Sequence, residues 1–225
     1  MKTIDFSTIL ASSIHDVKNS LNILINKIDE ISHKTVDNEN RAELEQLQYQ
    51  GKCINGHLIR LLVLYRINQS QYFANITETG INDFLDEALD QYRPLLAHKN
   101  ISLTVNCADE LYWFIDRDLI NGVITNIMNN LYTHAKSTIE IDARQKNKSL
   151  ILQIKDDGPG YSEEILLAPS CTQRKNFSFN SNNTGLGLYF SGIAAEMHQN
   201  NNKSGYITTN NEGINGGGCF SIILP

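Results

Sequence analysis

The strongest constraint on the fold is a regular apolar repeat near the amino terminus. Leu10, Ile14, Val17, Leu21, Leu24, Ile28 and Ile31 are spaced alternately four and three apart, which is the heptad seam of one long helix that must lie against others. After a polar turn around residues 34–40, the alternation resumes at Leu44, Leu47, Gly51, Ile54, Leu58, Leu61 and Tyr65, with a glycine where an apolar residue is expected. Two long helices joined by a short turn make an antiparallel hairpin. A hairpin gives each seam a single partner, and Phe6, Ile9, Ile25, Ile59, Leu62 and Leu64 widen the stripe beyond what two helices bury. The expected solution is a homodimer in which two hairpins form a four-helix bundle.

Past the polar residues 68–71 the pattern changes. Short β-like runs over 101–106, 112–116, 138–143, 150–155, 205–209 and 219–224 alternate with helical runs over 81–97, 118–134 and 186–198. This predicts an α/β or α+β domain and a boundary near residue 70. A length of 225 residues accommodates these two small domains. With 41% hydrophobic and 20% charged residues, wholesale disorder is excluded.

Charge narrows the partners. The 19 Lys and Arg are outnumbered by 25 acids, for a net charge of −6. Neutralising a phosphate backbone needs a basic surface, so no nucleic-acid partner is expected and any nucleotide is expected as a small ligand. The cysteines at 53, 107, 171 and 219 form neither a CxxC pair nor a zinc-like cluster and read as reduced thiols. No apolar run approaches membrane-spanning length, and residues 1–10 lack the features of a signal peptide. The expected location is cytoplasmic, with no membrane partner.

The candidate chemistry lies in short motifs, each ambiguous alone. Asn126 and Asn130 are four apart on a predicted helix, so both carboxamides leave one face, and their carbonyl oxygens are ligands that Mg²⁺ accepts beside water and phosphate. Taken alone, such a pair is more often an ordinary polar helix face. Asp156-Asp157-Gly158-Pro159-Gly160 follows a predicted strand, turning the chain sharply and leaving a carboxylate able to accept from an exocyclic amine such as that of adenine. Such turns are also common without function. Thr184-Gly185-Leu186-Gly187-Leu188 opens the next helix, where backbone N–H groups and the positive end of the helix dipole suit phosphate. Between the glycine motifs, residues 161–183 are rich in Asn and Ser, which suggests a lid over a ligand or a disordered loop.

In order, the Asn pair, D-D-G-P-G, the long loop, T-G-L-G-L, and Gly216-Gly217-Gly218 before a strand ending Ile223-Leu224-Pro225 resemble the ATP-binding domain of sensor histidine kinases. The conjunction is far more specific than its parts, and the resemblance runs from about Phe73 to Pro225. It implies an α/β sandwich of the histidine kinase and gyrase type, a mixed sheet covered on one side by helices. It also implies ATP and Mg²⁺ as cofactors. Asn126, Asn130, Asp156, Gly158, Gly160, Gly185 and Gly187 then bind the nucleotide, with Asn130 holding the metal.

The first half carries a matching motif. Ser13-Ile14-His15-Asp16-Val17-Lys18-Asn19 is similar to the phosphoacceptor box of the same family, a His followed by an acid, then a basic residue, then Thr or Asn at the fourth position after it. His15 stands one residue past a seam position and is expected to be accessible. The resemblance makes residues 1–70 a dimerisation and histidine phosphoacceptor domain and 71–225 a catalytic ATP-binding domain. His33, His57, His98, His134 and His198 read as surface or internally satisfied histidines.

Imidazole is a competent nucleophile near neutral pH. Asp16 is placed to take the Nδ1 proton as Nε2 attacks the γ-phosphorus, and Asn19, one turn on, shares the His15 face. The implied function is autophosphorylation of His15 and transfer of the phosphoryl group to an Asp of a separate response regulator. The resemblance allows phosphatase activity toward that regulator as well. The sequence given shows no sensory domain before His15 and no receiver domain after Pro225, so input is expected either from a separate sensor protein, which makes the chain a stand-alone kinase, or from a region outside this sequence.

Two positions depart from the family pattern. Thr133 stands where many members carry a Lys or Arg that touches phosphate, with Lys136, Arg174 and Lys175 as conceivable substitutes, and Ser20 stands where Pro is common. These departures keep open a histidine phosphotransfer adaptor with a degenerate ATP domain. A serine kinase or conformational ATPase of the same superfamily would leave the hairpin and its H-D-V-K-N motif unexplained.

Overall fold

The computed structural model describes residues 6–34, 38–167 and 185–225, with side chains from residue 12 onward apart from a few near the helical turn. The chain divides into two compact units, Met1–Phe73 and Ala74–Pro225.

The first unit is a helical hairpin of α1 (Phe6–Lys34) and α2 (Asn38–Asn68). The expected turn over 34–40 lies partly outside the described residues. Each heptad seam splits into two populations. Ile14 on α1 and Gly51 on α2 are buried, with Leu21, Ile28, Leu44, Leu58 and Tyr65 half-buried, whereas Val17, Leu24 and Ile31 on α1 and Leu47, Ile54 and Leu61 on α2 remain exposed at seven-residue intervals. The glycine that interrupts the second seam has a packing reason: Gly51 is buried, and a β-carbon there would stand 2.8 Å from Ile25 Cγ1. Ile25 fills the space that a side chain at 51 would need. Polar pairs fix the helix register, with Asn55 Nδ2 donating to Asn22 Oδ1 at 3.2 Å and Gln48 Nε2 donating to Asp29 Oδ1 at 2.8 Å.

The second unit begins with β1 (Thr77–Gly80), α3 (Ile81–Leu89) and α4 (Arg93–His98). It continues through β2 (Ser102–Cys107), β3 (Tyr112–Ile115), α5 (Arg117–His134), β4 (Thr138–Lys146) and β5 (Ser149–Asp156). After α6 (Glu163–Leu166) come α7 (Leu186–Glu196), a small hairpin of β6 (Gln199–Asn200) and β7 (Lys203–Ser204), then β8 (Tyr206–Asn210) and β9 (Cys219–Leu224). The main sheet has the order β2-β4-β5-β9-β8, parallel between β2 and β4 and antiparallel elsewhere, while β1 and β3 pair separately.

Strand alternation sends Ile139, Ile141, Ala143, Leu150, Leu152, Ile154, Phe220, Ile222 and Leu224 to one buried face. The buried faces of α3, α5 and α7 supply Phe84 and Leu85, Val123 and Ile127, and Phe190 and Ala194 to the same core. Each fully buried aliphatic side chain contributes about 1.5–3 kcal/mol. A one-residue slip of any central strand would turn its set to solvent, so the register is firmly specified. The opposite face is polar, with Lys155 Nζ 2.9 Å from Asp142 Oδ2 and Gln153 bonded to Ser221.

The helix expected over 81–97 is interrupted. Pro94 has no N–H to donate to a carbonyl one turn back and is tolerated only in the first turn of a helix, so the first helix ends at Leu89 and a second begins at Arg93 with Pro94 in its first turn. Asp116 then starts α5 as an N-cap, its carboxylate accepting from Leu119 N at 3.0 Å and from Asn75 N at 2.8 Å. The Asp116 N–H donates to Nε2 of the buried His198, and Nδ1 of that ring faces Ala194 O at 2.7 Å. His198 is thus an internally satisfied histidine, and burial holds its pKa below the usual value.

Candidate active site

The helical unit gathers the three expected catalytic residues, His15 as the expected phosphoacceptor with Asp16 and Asn19 beside it. Ile14, turned inward, is 6% exposed, so its neighbour His15 is turned outward with 66% of its side chain exposed. Asn19, one turn on, lies with Nδ2 3.2 Å from His15 Nδ1, and Asp16 Oδ1 is 3.6 Å from the same nitrogen. Both neighbours therefore collect at Nδ1, and among the described residues no hydrogen bond engages Nε2. A proton on Nδ1 would face the Asp16 carboxylate. That tautomer requires Asn19 to present its carboxamide oxygen, an orientation related to the assigned one by exchange of O and N. Nε2 then carries the free lone pair.

In the second unit, α5 organises the remaining candidates. Asn126 is buried, and its Nδ2 has no hydrogen-bond partner among the described residues. Asn130 follows one turn later and is half-buried. Asn126 lies against the beginning of α7, where any β-carbon at Gly187 would overlap its carboxamide. Gly185 caps α7 with φ of 67°, a left-handed conformation that suits glycine. Thr184, Arg174 and Lys175 lie outside the described residues, as does most of the expected lid.

The other glycine turn meets the far end of the same helix. A β-carbon at Gly158 would stand 2.8 Å from His134 O, the last residue of α5. Asp156, 6% exposed, accepts from Gly158 N at 2.7 Å. Burial pushes its carboxyl pKa up, against the backbone N–H groups of Gly158 and Gly218 that favour the charge. From Asn126 to His134 is eight residues, or about 12 Å of helix at 1.5 Å per residue. Two glycine turns thus bracket one helix face at a separation that suits an elongated ligand with a base at one end and phosphate at the other.

Asp157 is a structural element that its spacing did not disclose. Its carboxylate accepts from Lys136 N, from Ser137 N and, at 2.6 Å, from Ser137 Oγ. Burial opposes the charge, but these donors outweigh it and hold the pKa far below the usual range. Asp157 thereby ties the exit of α5 to the glycine turn. Thr133 spends its hydroxyl on Asn129 O at 3.4 Å, within its own helix.

These residues fit a nucleotide and its metal on their own evidence. The carboxamide of Asn126 leaves a buried donor unspent at the helix start that carries Gly185 and Gly187, where further N–H groups are available to phosphate. Asn130 adds a neutral oxygen donor of the kind Mg²⁺ accepts.

Residues 115–225 match the family of histidine kinase-, DNA gyrase B-, and HSP90-like ATPases. Among curated relatives, the adaptive-response sensory kinase SasA of Synechocystis is 28% identical over 68% of the chain and 43% of its own length. The sensor protein SrrB of Staphylococcus aureus is 25% identical over 96% of the chain and 37% of its own length. The chain therefore spans less than half the length of these relatives. Among solved structures, the Acinetobacter baumannii histidine kinase AdeS superposes with a TM-score of 0.61 at 18% identity, covering 93% of this chain and 96% of that one. Full-length ShkA in complex with AMPPNP gives 0.64 at 16% identity, covering 96% of this chain and 45% of that one. The resemblance to sensor histidine kinases carried by the motifs is borne out, and the α/β fold of the ATP-binding part with it. Among the described residues no helix is long and apolar enough to cross a membrane.

Proposed function

We propose that this chain is an ATP-dependent protein-histidine kinase that phosphorylates itself on His15 and passes the phosphoryl group to an aspartate of a separate response regulator. The observation that best supports this reading is the bracketing of α5 by the two glycine turns, with Asn126 against Gly187 and His134 against Gly158. The kinase relatives and the exposed His15 with an unengaged Nε2 support it independently.

In this mechanism Asp156 accepts from the exocyclic amine of adenine, and Gly158 and Gly160 let the turn follow the base. Backbone N–H groups at Gly185 and Gly187, together with Asn126, bind phosphate oxygens and orient the γ-phosphoryl group. Asn130 would hold Mg²⁺, which when bound would supply charge neutralisation at the phosphates. His15 Nε2 attacks the γ-phosphorus, forming an N–P bond as the bond to the bridging β–γ oxygen breaks and ADP leaves. Asp16 stabilises the positive charge that develops on the ring and takes the Nδ1 proton. Asn19 orients the imidazole. Phosphohistidine then donates to the regulator's carboxylate, and in the reverse direction Asn19 is placed to orient a hydrolytic water, which would give phosphatase activity.

The exposed heptad positions Val17, Leu24, Ile31, Leu47, Ile54 and Leu61 suit a second copy, so the working form is a homodimer. A separate sensor protein supplies the input, and the reaction takes place in the cytoplasm.

The test is incubation with γ-labelled ATP and Mg²⁺, comparing the unaltered protein with His15→Ala and Asn130→Ala. The expected result is label that survives base and is lost in acid, absent from both variants. Absence of label on the unaltered protein, with uptake of phosphate onto His15 from a phosphorylated receiver, would replace this reading with a phosphotransfer adaptor.

A further inference from the structure

We infer that Asn211 is a positioning residue for the nucleotide site, clamping the exit of the Asp156–Gly160 turn through both backbone polar groups of Tyr161. The inference rests on the ATP reading and adds a residue that no glycine or Asn motif in the sequence indicates.

Tyr161 N donates to Asn211 Oδ1 at 2.7 Å, and Asn211 Nδ2 donates to Tyr161 O at 3.0 Å. The two bonds fix the carboxamide orientation, because a backbone N–H needs an acceptor and a carbonyl needs a donor. Asn211 thereby acts as a one-residue strand partner for a segment that no strand covers among the described residues. The preceding residue, Gly160, has φ of 75°, and a β-carbon there would stand 2.7 Å from Asn211 Oδ1. The close approach of the clamp and the left-handed backbone therefore demand glycine at the same point.

The loop that carries Asn211 is itself fixed against the site. Asp156 N donates to Gly218 O at 3.0 Å, and a β-carbon at Gly218 would stand 2.7 Å from Asp156 Oδ2 and 3.2 Å from Tyr161 Cε2. The 211–218 loop thus touches the turn at its carboxylate, at the Tyr161 ring and through the Asn211 clamp. Of these, only the clamp is a side-chain contribution from the loop. Without it, Tyr161 N–H and C=O lose these two bonds and Gly160 regains its wide conformational range. A nucleotide must then order the turn as it binds, which weakens affinity without altering the reacting atoms.

The experiment compares Asn211→Ala and Asn211→Asp with the unaltered full chain. Asp keeps an acceptor for Tyr161 N–H but loses the donor to Tyr161 O. Binding of a fluorescent ATP analogue should weaken about tenfold in N211A and to a lesser degree in N211D. In the labelling reaction the KM for ATP should rise by the same factor with kcat unchanged. Hydrogen exchange without nucleotide gives an independent reading: the Tyr161 amide should exchange at least tenfold faster in N211A while Ile154 in β5 stays protected. Equal affinity in N211A and the unaltered protein overturns the role of Asn211 alone, as does a fall in kcat at constant KM. Failure of the unaltered protein to bind the analogue overturns the ATP reading and this role with it.

Discussion

Asn126 and Gly187 occupy each other's space: the carboxamide of the first fills the volume that a side chain at the second would take. Neither residue can be understood from its own helix alone.

Gly187→Ala should therefore force the start of α7 and Asn126 apart. The expected outcome is a loss of more than tenfold in ATP-analogue affinity, with a lowered melting temperature. Adding Asn126→Ala removes the overlap, so the double variant should regain melting temperature without regaining affinity. Recovery of binding in the double variant would show that Asn126 contributes only bulk. Calorimetric melting with and without nucleotide separates the two effects.

The exposed seam gives a second prediction. Leu24 is 55% exposed and Ile54 51% exposed in the isolated hairpin, although both sit at regular heptad positions. Light scattering of the unaltered chain should give twice the 25.3 kDa of one copy. Leu24→Glu combined with Ile54→Glu should give the single-copy mass, because it buries four like charges in the expected bundle. A monomeric unaltered chain would exclude the four-helix assembly.

Thr133 offers a gain rather than a loss. Its hydroxyl bonds within α5 and leaves the position three residues after Asn130 without a cation. Thr133→Lys should strengthen ATP binding by roughly 1 kcal/mol, about fivefold, the range of a partly exposed ion pair. The gain should shrink at high salt. Titration with the fluorescent analogue at two ionic strengths checks both expectations.

Asp157 sets a pH dependence. Its folded pKa lies below the unfolded value near 3.9, so its contribution is complete above that value and is lost as pH falls through and below it. Asp157→Asn should cost roughly 2 kcal/mol at neutral pH, the size of a charge-assisted hydrogen bond. The difference between variant and unaltered protein should narrow below about pH 4. Denaturant melts at pH 7, 5 and 3 measure this, and a gap independent of pH would remove Asp157 from the acid response.

The sequence made some of this architecture plain and concealed the rest for physical reasons. Heptad spacing is a property of one helix read along its length, so both long helices were legible, and strands 138–143, 150–155 and 219–224 showed as apolar alternation. The Thr77–Gly80 strand carries no such alternation, because its pairing with Tyr112–Ile115 is set by position beside the core. The break before Arg93 depended on Pro94, whose effect competes with an otherwise continuous apolar face. Candidate site residues with a local signature, such as Asn126, Asn130 and the glycines, were visible as motifs. Asn211 was not, since its partner Tyr161 lies 50 residues away and nothing local marks a carboxamide that pairs with a distant backbone.

The place of β9 in the sheet has a consequence for biosynthesis. Residues 219–224 lie between β5 and β8, and among the described residues β8 has no other strand partner. A nascent polypeptide released before Cys219 would thus present β5 as a naked edge, leave β8 unpaired and expose the apolar surface that Phe220, Ile222 and Leu224 normally cover. Folding of this half must await translation of its final strand. Termination within β9 should yield insoluble material rather than a merely weakened domain.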